Sequence, residues 1–162
     1  MVGAVGRDDD GTRYVRALRE RGVNTGGVTQ LEGSPTGAAV MFVDDCGENL
    51  IVVDAGVNAA LSSTWVRAQV LDRLTPLTVV QLEVPLAALE ALVATMRKDE
   101  LLVFNPAPMA CESNELEHIL QCGNVIVPNR TELGSLARRR EPQTMDEVDE
   151  CVVAPASSAR SW

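Results

Sequence analysis

Hydrophobic and polar positions follow two different rhythms along this chain. From Thr36 to Val43 the run TGAAVMFV is small and then β-branched or bulky, and from Asn49 to Val53 NLIVV takes the same course, with Asp44-Asp45-Cys46-Gly47-Glu48 between them. Two such runs joined by a Gly-containing turn predict an antiparallel hairpin. Elsewhere the spacing becomes helical. Tyr14, Val15 and Leu18 share one face of a segment from about Asp10 to Arg21, with Gly22 where a left-handed C-cap is expected. Leu61, Trp65, Val66, Val70, Leu71 and Leu74 recur at helical intervals, with Ser62 or Ser63 as N-cap. Val2 to Val5 reads as the end of a strand. Val23 to Gly33 mixes Gly, Asn, Thr and Gln and reads as a connector, with Val28 a lone strand-like position.

The remainder alternates. Strands are expected at Thr78 to Leu82, Leu101 to Phe104 and Val125 to Val127, with helices at Leu86 to Met96, Glu115 to Leu120 and Thr131 to Ala137. Repeated strand–helix alternation with short links implies right-handed βαβ units and a parallel sheet covered on both faces, the α/β class. Thr144 and Glu147 have capping-box spacing and open a further helix. Residues 154–162, APASSARSW, carry no period, and the segment 151–162 is expected to be a disordered or non-family tail, so that the chain stops partway through a larger α/β domain.

Length and composition narrow the function classes. The 162 residues suit one domain, and a hydrophobic fraction of 46% with 23% charged residues suits a packed core. A net charge of −9 is the wrong sign for tracking phosphate backbones or anionic lipid, and 3% aromatics leave no stacking platform for single strands. Neither nucleic acid nor membrane is therefore an expected partner, and no apolar run approaches the roughly 20 residues of a membrane span. Cys46, Cys111, Cys122 and Cys151 form no Cys-x-x-Cys pair, which fits reduced thiols and a cytoplasmic location.

In an open parallel sheet, ligands sit beyond the carboxyl ends of the strands. Glu83, Asn105 and Asn129 each follow a predicted strand. Glu83 is a fixed acceptor suited to sugar hydroxyls, or a solvated loop charge. Asn105-Pro106-Ala107-Pro108 is rigid and poor in donors, which suits a tight turn or a pocket wall. Asn129 and Glu132 have two readings that are compatible: a helix-capping pair, and an amide and carboxylate beside a phosphate and its hydrated Mg²⁺. Cys111, His118 and Cys122 lack a fourth ligand and the short spacings of a zinc site. No nucleophile motif accompanies His118, no dinucleotide fingerprint or Walker A motif is present, and Arg138-Arg139-Arg140 reads as a solvated helix end.

Seven segments taken in order carry more information than any one. Val-Gly-Arg-Asp-Asp-Asp-Gly (5–11), Thr-Gly-Ala-Ala-Val-Met-Phe-Val (36–43), Gly-Glu-Asn (47–49), Ala-Gly-Val-Asn (55–58), Gln-Leu-Glu (81–83), Asn-Pro-Ala-Pro (105–108) and Pro-Asn-x-x-Glu (128–132) closely resemble the ribokinase family of carbohydrate kinases, which includes fructokinase and adenosine kinase. The resemblance covers about residues 1–150. It implies a ribokinase-like doubly wound sheet, incomplete at both ends, with the hairpin at about 36–53 serving as a lid that covers the sugar and pairs two subunits as a homodimer. By the same resemblance Glu83 binds ribose, Ala39, Met41 and Val53 cover it, Asn129 lies at the ATP phosphates, and Glu132 acts through water on Mg²⁺. The implied reaction is phosphoryl transfer from ATP to the 5-hydroxyl of ribose.

Two departures qualify this. Arg130 stands where the family usually has Glu, reversing a charge near the metal. The family's Gly-Gly-Lys-Gly-Ala-Asn sugar loop is expected before residue 1, and its Gly-Ala-Gly-Asp motif, with the catalytic base and the neighbouring adenine and K⁺ sites, after residue 150. No catalytic residue is therefore assigned within the chain. The alternatives are another sugar or nucleoside kinase, with Gln81-Leu82-Glu83 and Asn105-Pro106-Ala107-Pro108 favouring ribose, and a non-catalytic homologue that pairs through the lid hairpin.

Overall fold

The computed structural model describes residues 1–70, 73, 75–109 and 111–153. The chain divides into two units, Met1–Arg73 and Leu74–Trp162.

In the first unit, β1 (Val2–Gly6) leads through α1 (Asp9–Glu20) to β2 (Gly27–Leu31), which pairs parallel with β1 from Val2↔Gly27 to Gly6↔Leu31. Asp8 caps α1 by accepting from the Gly11 N–H at 2.7 Å, and Asp9 and Asp10 place negative charge in the first turn. The helix closes as a Schellman turn: the Gly22 N–H donates to Arg19 O at 2.9 Å and the Val23 N–H to Leu18 O at 3.0 Å. Gly22 is left-handed there, with φ of 78°. Gly11 is buried and Val15 and Leu18 are half-buried, whereas Tyr14 stays exposed at the margin of the stripe.

The connector expected over Val23–Gly33 is in fact interrupted by β2. Its residues lack strand periodicity, and the strand exists because its backbone completes a ladder with β1. Gly27 permits the approach, since a Cβ there would stand 2.9 Å from both Met1 O and Val2 Cγ2.

The expected hairpin is present as β3 (Ala38–Val43) and β4 (Asn49–Asp54), antiparallel and in continuous register from Ala38↔Asp54 to Val43↔Asn49. Its turn is organised by Asp44, whose Oδ1 accepts from the N–H groups of Cys46 and Glu48, each at 2.9 Å. Every residue of both strands is exposed. A 3₁₀ segment (Gly56–Ala60) and α2 (Ser63–Val70) complete the unit, with the Ser62 hydroxyl accepting from the Trp65 N–H at 3.1 Å as an N-cap. The later part of that expected helix, Leu71 and Leu74, lies outside the described residues. Val5, Val57, Leu61 and Val66 are buried in this unit.

The second unit has a three-stranded parallel sheet in the order β5-β6-β7, formed by β5 (Leu77–Gln81), β6 (Leu101–Asn105) and β7 (Val125–Ile126). The crossovers run through α3 (Leu86–Val93) and α4 (Glu117–Cys122), the latter preceded by a 3₁₀ turn at Ser113–Leu116. Leu89, Val93, Leu102, Phe104, Leu116 and Ile119 form the core, so β6 is buried through its even-numbered positions against both crossover helices. α3 ends at Val93, earlier than the expected Met96, with Thr95 and Met96 in turn hydrogen bonds to Leu92 and Val93 carbonyls. α5 (Arg130–Leu136) and α6 (Met145–Val153) follow. Of the tail expected over 151–162, residues 151–153 form the end of α6, and the rest lies outside the described residues.

Candidate functional site

The strand order brings the three expected rim positions side by side. Gln81 of β5 pairs with Asn105 of β6, and Phe104 of β6 with Ile126 of β7, so Asn105, expected just after its strand, is the last residue of β6, while Glu83 and Asn129 follow the carboxyl ends of the strands on either side. The rim is laced by its own polar groups. Leu82 N–H donates to Ala107 O at 2.9 Å, and Asn105 Nδ2 donates to Val127 O at 2.8 Å while its Oδ1 accepts from the Ala107 N–H at 3.1 Å. Asn105 is thus a structural tie between β6 and the segment after β7, and Pro106 behind it is fully buried. Glu83 is exposed on this rim.

Asn129 and Glu132 form a reciprocal capping box at the start of α5. Asn129 Oδ1 accepts from the Glu132 N–H, Glu132 Oε2 accepts from the Asn129 N–H, and Glu132 Oε1 accepts from Asn129 Nδ2, each at 2.8 Å. The capping reading of this pair is therefore realised. It leaves chemistry over: an amide nitrogen carries two hydrogens and a carboxylate about four acceptor positions, so Asn129 keeps one donor and Glu132 keeps acceptor capacity. Glu132 is 5% exposed, and its grip fixes the plane of the Asn129 amide.

Arg130 turns away from this pair. Its Nε and Nη2 donate to Pro142 O at 2.9 and 2.7 Å, and Nη2 also donates to Gln143 Oε1 at 3.2 Å. The charge reversal noted in the sequence is thus absorbed by the α5–α6 connection. The arginine run behind it lies exposed just past the end of α5, as expected of a solvated helix end, and it also ties to neighbouring segments. Arg138 is left-handed with φ of 53° and its Nε donates to Ser113 Oγ at 3.0 Å, Arg139 pairs with Glu150 at 2.7 Å, and Arg140 pairs with Glu147. Sequence reasoning missed this stitch, although opposite charges on the two sides of a short connection were its signal. The Gln143 N–H, with Arg140 beside it, holds the Glu147 carboxyl below its ordinary value.

In the first unit, the hairpin register places Ala39 directly opposite Val53 and Met41 opposite Ile51. Cross-strand partners and alternate residues share a face, so Ala39, Met41 and Val53 lie together on one side of the ribbon. Val40, Phe42, Leu50 and Val52 occupy the other. Among the described residues no group of three or more His, Cys, Asp or Glu side chains is placed to hold a metal ion. Cys111 is half-buried, and burial together with Glu115 and Glu112 pushes its thiol up, which makes it a poor thiolate ligand. No helix of the described residues is long and apolar enough to cross a membrane.

A parallel sheet whose polar residues gather at its carboxyl strand ends, beside an oriented amide and carboxylate, has the arrangement in which the α/β class places ligand sites. Comparison with known proteins gives that class its family. The model of the pfkB family carbohydrate kinases matches residues 1–158. The chain is 33% identical over 153 residues to a ribokinase of Schizosaccharomyces pombe, covering 92% of this chain and 47% of the other. Among solved structures, the ribokinase of Giardia lamblia superposes with a TM-score of 0.78 at 28% identity over 99% of this chain and 49% of that one. The ribokinase of Cryptococcus neoformans var. grubii serotype A in complex with ADP gives a TM-score of 0.78 at 28% identity over 94% and 49%. The chain belongs to the pfkB family of carbohydrate kinases and has a ribokinase-like fold. It spans about half the length of these relatives.

Proposed function

We propose that this chain is the ribose- and nucleotide-contacting part of an ATP-dependent ribokinase, which transfers the terminal phosphoryl group to the 5-hydroxyl of D-ribose. The observation that carries the reading is the rim of the second unit, where Glu83, Asn105 and Asn129 stand at or just beyond the carboxyl ends of three adjacent parallel strands. Glu83 accepts hydrogen bonds from the sugar hydroxyls, and Ala39, Met41 and Val53 supply the apolar cover. Asn129 donates its remaining amide hydrogen to the ATP phosphates, in an orientation that Glu132 maintains.

The residues present fit Mg²⁺, a hard cation that takes oxygen ligands and keeps much of its water. Glu132 retains acceptor capacity and is buried, which suits contact through a water molecule rather than direct ligation. When bound, the cation neutralises charge on the transferring phosphate. K⁺ belongs to the same reading by family resemblance, as do the cytoplasmic location and a homodimer formed through the hairpin.

The test is calorimetric titration of the chain with D-ribose and, separately, with Mg·ATP. Ribose binding that is lost in Glu83→Gln while Mg·ATP binding persists is the expected result. Preference for a different sugar or for a nucleoside would replace ribose as the substrate, and ribose binding unchanged in Glu83→Gln would remove Glu83 from the site.

One observation favours a second role within the same family, that of a pairing module. Both faces of the hairpin are apolar and exposed, with Val43 at 63% and Leu50 at 64%. Stable association with a full-length ribokinase, without sugar binding by the chain itself, would mark that role.

A further inference from the structure

Burial does not hold the β3–β4 hairpin in place, because none of its strand residues is buried. Its root is held instead. The Thr36 N–H donates to Asp8 Oδ2 at 2.7 Å, and the Thr36 hydroxyl donates to Asp8 Oδ1 at 2.6 Å. That hydroxyl in turn accepts from the Gly6 N–H at 2.9 Å. Asp8 Oδ1 also caps α1 through the Gly11 N–H. On the returning side the Val57 N–H donates to Pro35 O at 2.9 Å.

One carboxylate therefore joins the end of β1, the first turn of α1 and the chain entering the hairpin. The packing leaves little slack. A Cβ on Gly6 would stand 2.5 Å from Thr36 N and 2.7 Å from Asp8 Oδ2, and one on Gly11 would stand 2.8 Å from Thr36 Oγ1. Capping α1 requires only one oxygen of Asp8. The second oxygen has no role in the helix, and it is committed to Thr36. Hydrogen bonds to an ionised acceptor are the short, directional kind that fix orientation.

We infer that Asp8 and Thr36 are the anchor that sets the direction in which the hairpin leaves its unit, with Asp8 a positioning residue for the surface carrying Ala39, Met41 and Val53. The functional weight of the anchor rests on the reading that this surface covers the sugar. The anchor itself is tested without sugar.

Hydrogen exchange of the chain, resolved to segments, separates the two duties of Asp8. Asp8→Asn keeps an oxygen for the Gly11 N–H and the Thr36 hydroxyl, because Asn caps as well as Asp, but it puts an amide donor where Oδ2 accepted from the Thr36 N–H. The Thr36 amide and the hairpin amides over 38–54 should then exchange roughly fivefold faster or more, as loss of a partly buried charge-assisted bond implies, while α1 amides keep their rates. Thr36→Val should show the same loosening, and Thr36→Ser, which keeps the hydroxyl, should restore the slow exchange. Wild-type hairpin rates in both Asp8→Asn and Thr36→Val, or a Ser variant no better than Val, would overturn the anchor. If Asp8→Asn fails to fold, the Val and Ser pair decides alone. Failure of ribose binding in the wild-type chain would remove the sugar reading and leave this exchange result standing.

Discussion

At the scale of single residues, the position that most departs from the family pattern proves to be a structural one. Arg130 spends its guanidinium on the Pro142 carbonyl and Gln143, so the reversed charge faces the α5–α6 connection. Arg130→Gln should therefore lower stability by about 1 kcal/mol, the usual worth of such a bond at a partly exposed site, and leave Mg·ATP affinity unchanged. Thermal unfolding and nucleotide titration check the two halves, and a gain in Mg·ATP affinity would return Arg130 to the metal. Glu132 is the opposite case. Replacing it with Gln puts a donor amide against the Asn129 N–H or Nδ2, which costs about 1–3 kcal/mol at a buried site. Denaturant titration should show that loss.

The same scale carries a pH dependence. The Thr36 hydroxyl, then the Gly11 and Thr36 amides, hold the Asp8 carboxyl below its ordinary 3.8. A depressed carboxylate contributes stability that is complete above its unfolded pKa and is lost as pH falls through its folded value. Arg7 and Glu32, which line a surface pocket together with Asp8, are paired with each other at 2.5 Å. Hairpin protection is therefore expected to be flat from neutrality down to about pH 4 and to fall below it, whereas Asp8→Asn should show no such fall. Exchange measured across that range decides.

Among the elements, β6 carries the second unit. Leu102 and Phe104 are fully buried between α3 and α4, so Phe104→Ala should destabilise by about 3–5 kcal/mol, read as a fall in the denaturant midpoint. This strand was legible in the sequence because four apolar residues in a row bounded by polar ones leave few other readings. The hairpin and α1 were legible for similar local reasons: two apolar runs around a Gly turn, and an amphipathic face closed by a Gly C-cap. β2 was not. Gly27, Thr29 and Gln30 show no strand pattern, and what makes them a strand is a partner, β1, reached only after α1 has turned the chain back. The candidate site divides in the same way. Positions after strands were readable one at a time, but the lacing of the rim by Asn105 and the commitment of Arg130 to Pro142 are contacts between segments that a linear pattern does not record.

For the whole molecule, the hairpin presents two distinct faces. Ala39, Met41 and Val53 share one face, and Val40, Phe42, Leu50 and Val52 the other. If the proposed pairing of the hairpin with another copy uses the second face, Phe42→Glu should shift the chain toward monomer in sedimentation velocity, while Ala39→Ser on the first face should not. An unchanged sedimentation profile in Phe42→Glu would exclude pairing through that face.

That ribbon has a consequence beyond recognition. Residues 38–43, AAVMFV, form an uncharged window without Pro, rich in β-branched and bulky side chains, and they lie on an exposed strand. Such a segment is a template on which further strands add indefinitely. Asp44 and Asp45 at the tip and Asp54 at the base are the charges that interrupt it. In a crowded solution the hairpin must find its proper cover faster than it finds another copy of itself in the wrong register, and the rate of that competition sets the concentration at which this chain stays in solution.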